Sequence, residues 1–130
     1  MPAMEFDTSS PIWGQLVTEF SRRIVTGEWP AGGRIAGVRD LASELGVNPN
    51  TVQRALAELE RRELCRSERT SGRFVTSEES HIDALRAELA QDAADDFIRR
   101  ASGLGMPPAQ ARRLIEERWN DHDHQHTQRA

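Results

Sequence analysis

The chain has 130 residues, of which 37% are hydrophobic and 29% charged, and its formal net charge at pH 7 is −4. This length fits one small domain with an appendage and excludes a large two-domain enzyme, and the composition is typical of a globular protein rather than a disordered one. There is no run of about 18 apolar residues, and no basic segment followed by an apolar one near the first residue. We therefore expect no membrane contact, no secretory signal and a cytoplasmic location.

The first predicted element is a helix from about Pro11 to Thr26. We expect Ser10 to cap it, with Pro11 in the first helical position, where a missing N–H group costs no hydrogen bond. Gly27 is expected to end the helix, and residues 1–10 are expected to be flexible. The apolar residues of this helix recur every four positions: Ile12, Leu16, Phe20 and Ile24.

Two helices with the spacing of a helix-turn-helix follow. The first has Gly37 at its N-cap and Gly46 after its end. The second begins about three residues later, with Asn48 as N-cap and Pro49 in the first position, and so short a turn makes the two helix axes cross steeply. The apolar residues of the second helix share one face: Val52, Ala55, Leu56 and Leu59.

The polar residues at the start of this second helix fall mostly outside its apolar face. They are of types that hydrogen-bond to base edges or phosphates: Asn50, Thr51, Gln53 and Arg54. Residues 47–77 contain 6 Arg against 4 acidic residues, so the local charge is positive although the whole chain is acidic. The pattern predicts a helix whose exposed face binds DNA.

Residues 64–76 predict a β-hairpin, with strands at 64–68 and 73–76 joined by residues 69–72. A hairpin this short must pack on the helices, and the residues expected to anchor it are Leu64, Phe74 and Val75. Cys65 is the only cysteine, which excludes an intramolecular disulfide. We expect it to be a core residue rather than a redox centre.

Helical periodicity returns from about His81, is interrupted at residues 103–106 and resumes after Pro107-Pro108. These two helices have too few large residues for a core of their own, so we expect residues 78–119 to pair with a second subunit in a homodimer. The residues expected at that interface are Ile82, Leu85, Leu89, Phe97, Leu104, Leu114, Ile115 and Trp119.

Residues 120–130 are predicted to be a disordered, His-rich tail. Its alternating histidines, His122, His124 and His126, would share a face only in a strand, so no metal site is expected. The sequence also shows no glycine loop that would cradle phosphate and no nucleophile beside an orienting base. We expect no cofactor and no enzymatic activity.

The order of several short motifs carries a family resemblance. They are Pro11–Leu16, Gly27–Gly32, Val38–Ala42, Leu45–Val52 and Leu59-Glu60. Over residues 11–76 the chain resembles the GntR family of bacterial transcription regulators, and its short helical remainder resembles the YtrA subfamily. The resemblance implies a mainly α fold with a small β-hairpin: a winged helix-turn-helix at residues 11–77, then a two-helix dimerisation segment at residues 78–119. Members of this subfamily are mostly repressors, frequently of transporter operons.

The resemblance also implies a set of DNA-binding residues. Arg39 matches a family arginine that contacts DNA, with a solvated arginine as the alternative, and Asn48 is either a DNA contact or only a cap. Arg54 reads guanine, binds a phosphate or pairs with Glu58, and the phosphate is favoured. The wing contributes a minor-groove contact. The full set is Arg39, Asn48, Asn50, Thr51, Gln53, Arg54, Arg69, Ser71, Gly72 and Arg73.

Three positions depart from the family pattern. The chain has Ala36-Gly37 where the family has Pro-Ser, so a serine cap and its phosphate contact are missing. Glu63 stands where a glycine is common, which costs about 1 kcal/mol if that residue must adopt positive φ. The wing tip is Thr70–Arg73 rather than Gly-Lys-Gly-Thr, so the recognition helix should carry more of the specificity.

The favoured hypothesis is a homodimeric repressor that binds a palindromic, double-stranded operator with half-sites about one turn apart. One alternative is a helical protein–protein interaction module that binds DNA only weakly. Another is a ligand-responsive sensor with a pocket around Trp13, Trp29 and Trp119, although core packing is favoured for these tryptophans. The operator and any small-molecule effector are left open.

Overall fold

Helices make up most of the fold, and a small sheet is placed among them. The computed structural model describes residues 5–129, with the side chains of residues 5–125. The elements are α1 (Ile12–Val25), β1 (Arg34–Ile35), α2 (Val38–Leu45), α3 (Pro49–Arg61), β2 (Cys65–Glu68), β3 (Gly72–Val75), α4 (Glu79–Gly103) and α5 (Pro108–Arg129). Two compact units divide between Leu89 and Ala90, within α4. The predicted fold class is confirmed.

The sheet has three antiparallel strands in the order β1-β3-β2. The predicted hairpin is confirmed as β2 and β3, which pair Cys65 with Val75. Strand β1 was not predicted, because two residues are too few to show the alternation that identifies a strand. It pairs Arg34 with Phe74, so it exists only through its contact with β3.

The core of the first unit forms where α1 packs on α3. Its fully buried side chains include Leu16, Phe20, Val52, Leu56 and Leu59. Leu64 and Val75 are also buried, so they anchor the wing as predicted, whereas Phe74 is half-buried. Ile12 was predicted on the apolar face of α1 but is 44% exposed.

The start of α1 differs from the prediction. Pro11, not Ser10, occupies the N-cap, and no side chain caps the helix. Gln15 holds the preceding segment instead: its Nε2 donates to the Asp7 and Ser10 carbonyl oxygens at 2.6 and 3.0 Å, and its Oε1 accepts from the Asp7 N–H at 2.8 Å. Part of the segment predicted to be flexible is therefore tied to α1.

Helices α2 and α3 end in the same way but with different residues. Gly46 follows α2 with φ 69°, a left-handed conformation that glycine adopts without steric cost. After α3 the corresponding residue is Glu63, with φ 62°. The Glu63 N–H donates to the Glu60 carbonyl at 2.9 Å, and the Leu64 N–H donates to the Leu59 carbonyl at 2.9 Å. These two bonds form a Schellman motif, which holds Glu63 in a conformation that its Cβ disfavours.

The Glu63→Gly variant is expected to be more stable than the wild type by about 1 kcal/mol, because glycine removes the left-handed strain. Glu63 is exposed, so little else is lost. Urea unfolding checks the prediction, and Glu63→Ala is the matched control because alanine keeps the Cβ. A glycine variant no more stable than the alanine variant would contradict this explanation.

A charged cluster fastens the end of α1. Glu19 binds Arg22 and Arg23, each at 2.8 Å, and the largely buried Arg23 also reaches Glu44 at 3.1 Å. The Arg23 guanidinium lies 5.6 Å from the ring centre of Trp29, which stacks on Phe20. The hydrogen bond from Arg22 has the largest effect on the pKa of Glu19. Together with the bond from Arg23 it outweighs burial, which raises that pKa, and lowers it to about 2.

This lowered pKa predicts an acid-dependent stability. Because the pKa of Glu19 falls from 4.5 to about 2 on folding, its contribution is complete above pH 4.5 and is lost as the pH falls towards 2. Glu19→Gln should cost about 1–2 kcal/mol at pH 7, and this difference should shrink as the pH falls. Urea unfolding from pH 7 to 2.5 measures it. Glu28→Gln, on the exposed rim of the cluster, should cost less than about 0.5 kcal/mol, and a Glu19→Gln effect independent of pH would refute the assignment.

Cys65 is a core residue, as predicted. It is 4% exposed, and its Sγ donates to the Leu56 carbonyl at 3.8 Å. Burial raises the pKa of its thiol to about 11. The protonated, covered thiol is unreactive at neutral pH.

Helix α5 extends beyond its predicted end at Trp119. It runs to Arg129, so residues 120–129 are helical rather than disordered. No glycine or proline interrupts the chain there, and Arg118 pairs with Asp121 at 3.1 Å along the helix. Among the described side chains no group of three or more metal-binding residues comes together, and His126 lies outside them.

Candidate nucleic-acid interface

The turn between α2 and α3 fixes where the second helix begins. Asn48 has φ −66° and ψ 134°, and its Oδ1 accepts a hydrogen bond from the Asn50 N–H at 2.8 Å. Pro49 follows in the first position, where its fixed φ suits a helix. Asn48 therefore acts as the N-cap, as predicted, and its side-chain oxygen is occupied by that role.

Helix α3 keeps one face in the core and the other in solvent. The predicted apolar stripe is confirmed, because Val52, Ala55, Leu56 and Leu59 have no exposed surface. Asn50 and Gln53 are exposed, and their side chains make no hydrogen bond within the described part of the chain. Thr51 is half-buried at the edge of this face. The amides of Asn50 and Gln53 are the types that pair with the N6 and N7 atoms of adenine.

Arg54 makes a contact that the sequence did not indicate. Its guanidinium carbon lies 4.3 Å from the centre of the Trp13 ring. The predicted alternative, a pair with Glu58, is wrong, because Glu58 binds Arg61 at 2.5 Å and Arg62 at 3.0 Å instead. Arg54 is left without a carboxylate partner in residues 5–125.

Arg39 occupies the second position of α2. Its side chain is exposed and forms no ion pair with any described residue. A cation at the start of this helix is free to contact a phosphate beside the recognition helix.

The wing presents fewer free groups than its sequence suggests. Arg69 and Ser71 are exposed, but Arg73 is half-buried and its Nε donates to Glu60 of α3 at 3.3 Å. Ser67 also hydrogen-bonds to Glu60. Arg73 thus ties the wing to α3, whereas the resemblance implied a DNA contact for it.

Arg34 is a residue near the wing tip that the sequence prediction missed. Its Nε donates to the Ser71 carbonyl at 3.0 Å, and its guanidinium lies against Gly72, where an added Cβ would come within 3.0 Å of Nε. Gly72 also has φ 106°, which disfavours any side chain. The only signal in the sequence was a polar residue followed by an apolar one, Arg34-Ile35, and two residues are too few to identify a strand.

The residues predicted for dimerisation fall into two groups. Ile82 and Leu85 are buried in the core of the first unit, so the prediction is wrong for them. The apolar period of α4 is continuous, and sequence alone cannot tell which turns are covered by the same subunit. In the second unit Phe97 and Leu114 are half-buried, Ile115 is 43% exposed and Leu104 is 82% exposed, and Leu89 lies at the boundary with 36% exposure.

The second unit also has an apolar cavity of about 690 Å³ formed by residues of α4, α5 and the turn between them. Its wall includes Phe97, Ile98, Met106, Ile115 and Trp119. Trp119 is 67% exposed, so the predicted core packing is wrong for this tryptophan, whereas Trp13 and Trp29 do pack against the core of the first unit. Ile98, 58% exposed, is an interface candidate that the sequence prediction omitted.

Known proteins share these features. The family described as "Bacterial regulatory proteins, gntR family" matches residues 14–75. YhcF of Bacillus subtilis, an uncharacterized HTH-type transcriptional regulator, is 30% identical over 102 residues, which cover 78% of this chain and 84% of YhcF. The HTH-type transcriptional repressor YtrA of Bacillus subtilis is 32% identical over 69 residues, which cover 53% of each chain.

A solved structure has the same fold over most of this chain. The GntR family transcriptional regulator from Listeria monocytogenes superimposes with a TM-score of 0.74 at 37% identity, over 86% of this chain and 98% of that one. None of the helices in the described residues is long and apolar enough to cross a membrane. Since the helix-turn-helix and its wing, the family match and the relatives all agree, the chain belongs to the GntR family of bacterial regulatory proteins and is a helix-turn-helix transcriptional regulator.

Proposed function

We propose that the protein is a repressor that binds a palindromic operator as a homodimer. The observation that carries this proposal is the division of α3: one face is fully buried, while Asn50 and Gln53 on the other are exposed and unbonded among the described residues. A rigid helix with free amides at its N-terminal end is the usual means of reading a major groove.

Other side chains near Asn50 and Gln53 complete the proposed DNA-binding surface. Thr51 and Arg54 lie on α3 itself, Arg39 lies near the start of α2, and the wing contributes Arg69 and Ser71. We assign base recognition to Asn50 and Gln53 and phosphate contacts to Arg39 and Arg54. Arg73 and Asn48 have structural partners, so we give them supporting roles as a brace and a cap.

The repressor role rests on a relative and on simple geometry. YtrA, similar over about half of this chain, is named a repressor. We call the winged helix-turn-helix of one subunit a head. A dimer that covers an operator with its two heads blocks access to that DNA without any further activity, so no enzymatic step is needed. Such a protein must reach the chromosome, and we therefore expect it in the cytoplasm.

The homodimer rests on the apolar surface of the second unit. Ile98, Ile115 and Trp119 are 58%, 43% and 67% exposed around one cavity. Exposed apolar groups of this size are uncommon on a monomer and typical of a protein interface. Pairing of two copies would join two heads, which explains why the operator should be palindromic.

A mobility-shift assay tests the proposal. Duplexes are selected from a randomised 30-base-pair library with the wild-type protein, and the Gln53→Ala/Arg54→Ala double variant should bind the winning duplex at least about 30-fold more weakly. The control is Gln110→Ala/Arg113→Ala, which removes the same side-chain types from exposed positions of α5. Unchanged binding by the Gln53→Ala/Arg54→Ala variant would refute the assigned face. A wild-type monomer without salt-sensitive DNA affinity would instead favour a protein–protein interaction module.

A further inference from the structure

Trp13 of α1 and Arg54 of α3 form a contact between two helices. Trp13 is half-buried and packs against the core, whereas Arg54 is exposed. The guanidinium carbon lies 4.3 Å from the ring centre, well within the range of a cation–π interaction. The half-buried indole thus supports an exposed, cationic side chain of another helix.

This contact leaves the hydrogen-bonding edge of Arg54 free. The contact with the ring satisfies no hydrogen bond, so the five N–H donors of the guanidinium still need acceptors. Glu58, four residues along the helix, is occupied by Arg61 and Arg62. Arg54 donates to no acceptor within the described side chains, so its edge is available to an anion.

The direction of the side chain distinguishes a phosphate from a base. Because Trp13 belongs to α1, the Arg54 guanidinium is drawn from the exposed face of α3 towards the first turn of α1. Asn50 and Gln53 remain on the face that would enter the groove. A group at the flank of an inserted helix meets the sugar-phosphate backbone, which borders the groove on both sides.

We propose that Trp13 is a positioning residue that holds the Arg54 guanidinium in place to bind a backbone phosphate of DNA. This inference rests on the proposed DNA-binding function. A guanidinium that is already held over the indole ring has less side-chain freedom to lose on binding, so the indole strengthens a contact in which it takes no direct part.

A double-mutant cycle tests the coupling. The variants are Trp13→Leu, which keeps apolar bulk but removes the ring, Trp13→Phe, which keeps a weaker ring, and Arg54→Ala, alone and combined. Affinities are measured for the selected 30-base-pair duplex and for a scrambled duplex between 50 and 200 mM salt. Melting temperatures are recorded for every variant, and if Trp13→Leu unfolds, the cycle is completed with Trp13→Phe.

We expect Arg54→Ala to weaken binding to both duplexes about tenfold and to reduce the salt slope by about 1. Trp13→Leu should weaken binding about fivefold in the wild-type background and have no effect once Arg54 is alanine. Trp13→Phe should lie between the wild type and Trp13→Leu, in keeping with the order of cation–π strength.

Three results would overturn the inference in distinguishable ways. A Trp13→Leu effect of equal size in both Arg54 backgrounds would show that the indole acts only through the core. An Arg54→Ala variant that loses preference at one base pair with an unchanged salt slope would show base reading instead of phosphate binding. A wild-type protein that binds neither duplex in a salt-sensitive way would remove the proposed function itself, and with it this inference.

Discussion

The Asn50→Ala/Gln53→Ala double variant is expected to lose most of its preference for the operator over random DNA. A well-placed amide that pairs with adenine contributes about 1–3 kcal/mol of discrimination, so two such residues account for roughly 30-fold to 10⁴-fold. Binding to random DNA should persist, because arginine contacts to phosphates do not depend on sequence. Both side chains are exposed and alanine favours helices, so the melting temperature should not fall.

Competition mobility shifts measure this preference directly. The labelled operator is challenged with unlabelled operator and with a scrambled duplex, and the ratio of the two competing concentrations gives the specificity. Gln110→Ala, an exposed amide on α5, serves as the control and should leave the ratio unchanged. A double variant that retains the wild-type ratio would show that other residues read the sequence.

The parts of the fold that could be predicted depend on local pattern. The buried stripe of α3 repeats at the helical period, Gly46 supplies the left-handed residue after α2, and Asn48-Pro49 defines a helix start whose cap bond the structure contains. Each of these features is encoded within about ten residues of sequence. The exposure of Asn50 and Gln53 could also be predicted, because both residues fall outside the apolar stripe of the same helix.

The parts that could not be predicted depend on contacts between distant segments. Strand β1 exists because it pairs with β3 about forty residues later, and the guanidinium of Arg54 lies over the ring of Trp13 on another helix. Arg73 was assigned to DNA by family resemblance, yet Glu60 draws it towards α3. The periodicity of α4 could not reveal that Ile82 and Leu85 are covered within their own unit. All of these features depend on which other segment or side chain a residue contacts, which the sequence pattern does not specify.

The Ile115→Asp/Trp119→Asp double variant is expected to be a monomer and to bind the operator about 10²–10⁴-fold more weakly than the wild type. The two residues are 43% and 67% exposed, so the carboxylates can be hydrated in an isolated chain, whereas burial between two copies would leave them without compensating partners. Without a dimer, the second head no longer binds from a high effective concentration next to the first. Sedimentation velocity gives the oligomeric state, and mobility shifts with the full operator and a single half-site give the affinities.

A matched control separates this effect from added charge. Ala109→Asp/Gln110→Asp also places two carboxylates on exposed positions of α5 and changes the net charge by the same amount, but outside the wall of the apolar cavity. It should remain a dimer with unchanged operator affinity. The affinity for a single half-site should be equal for all three proteins, because the recognition surface of α3 is unaltered in each. If Ile115→Asp/Trp119→Asp stays a dimer, the interface lies elsewhere on the chain. If it becomes a monomer that still binds the full operator tightly, the binding of one head does not depend on the other.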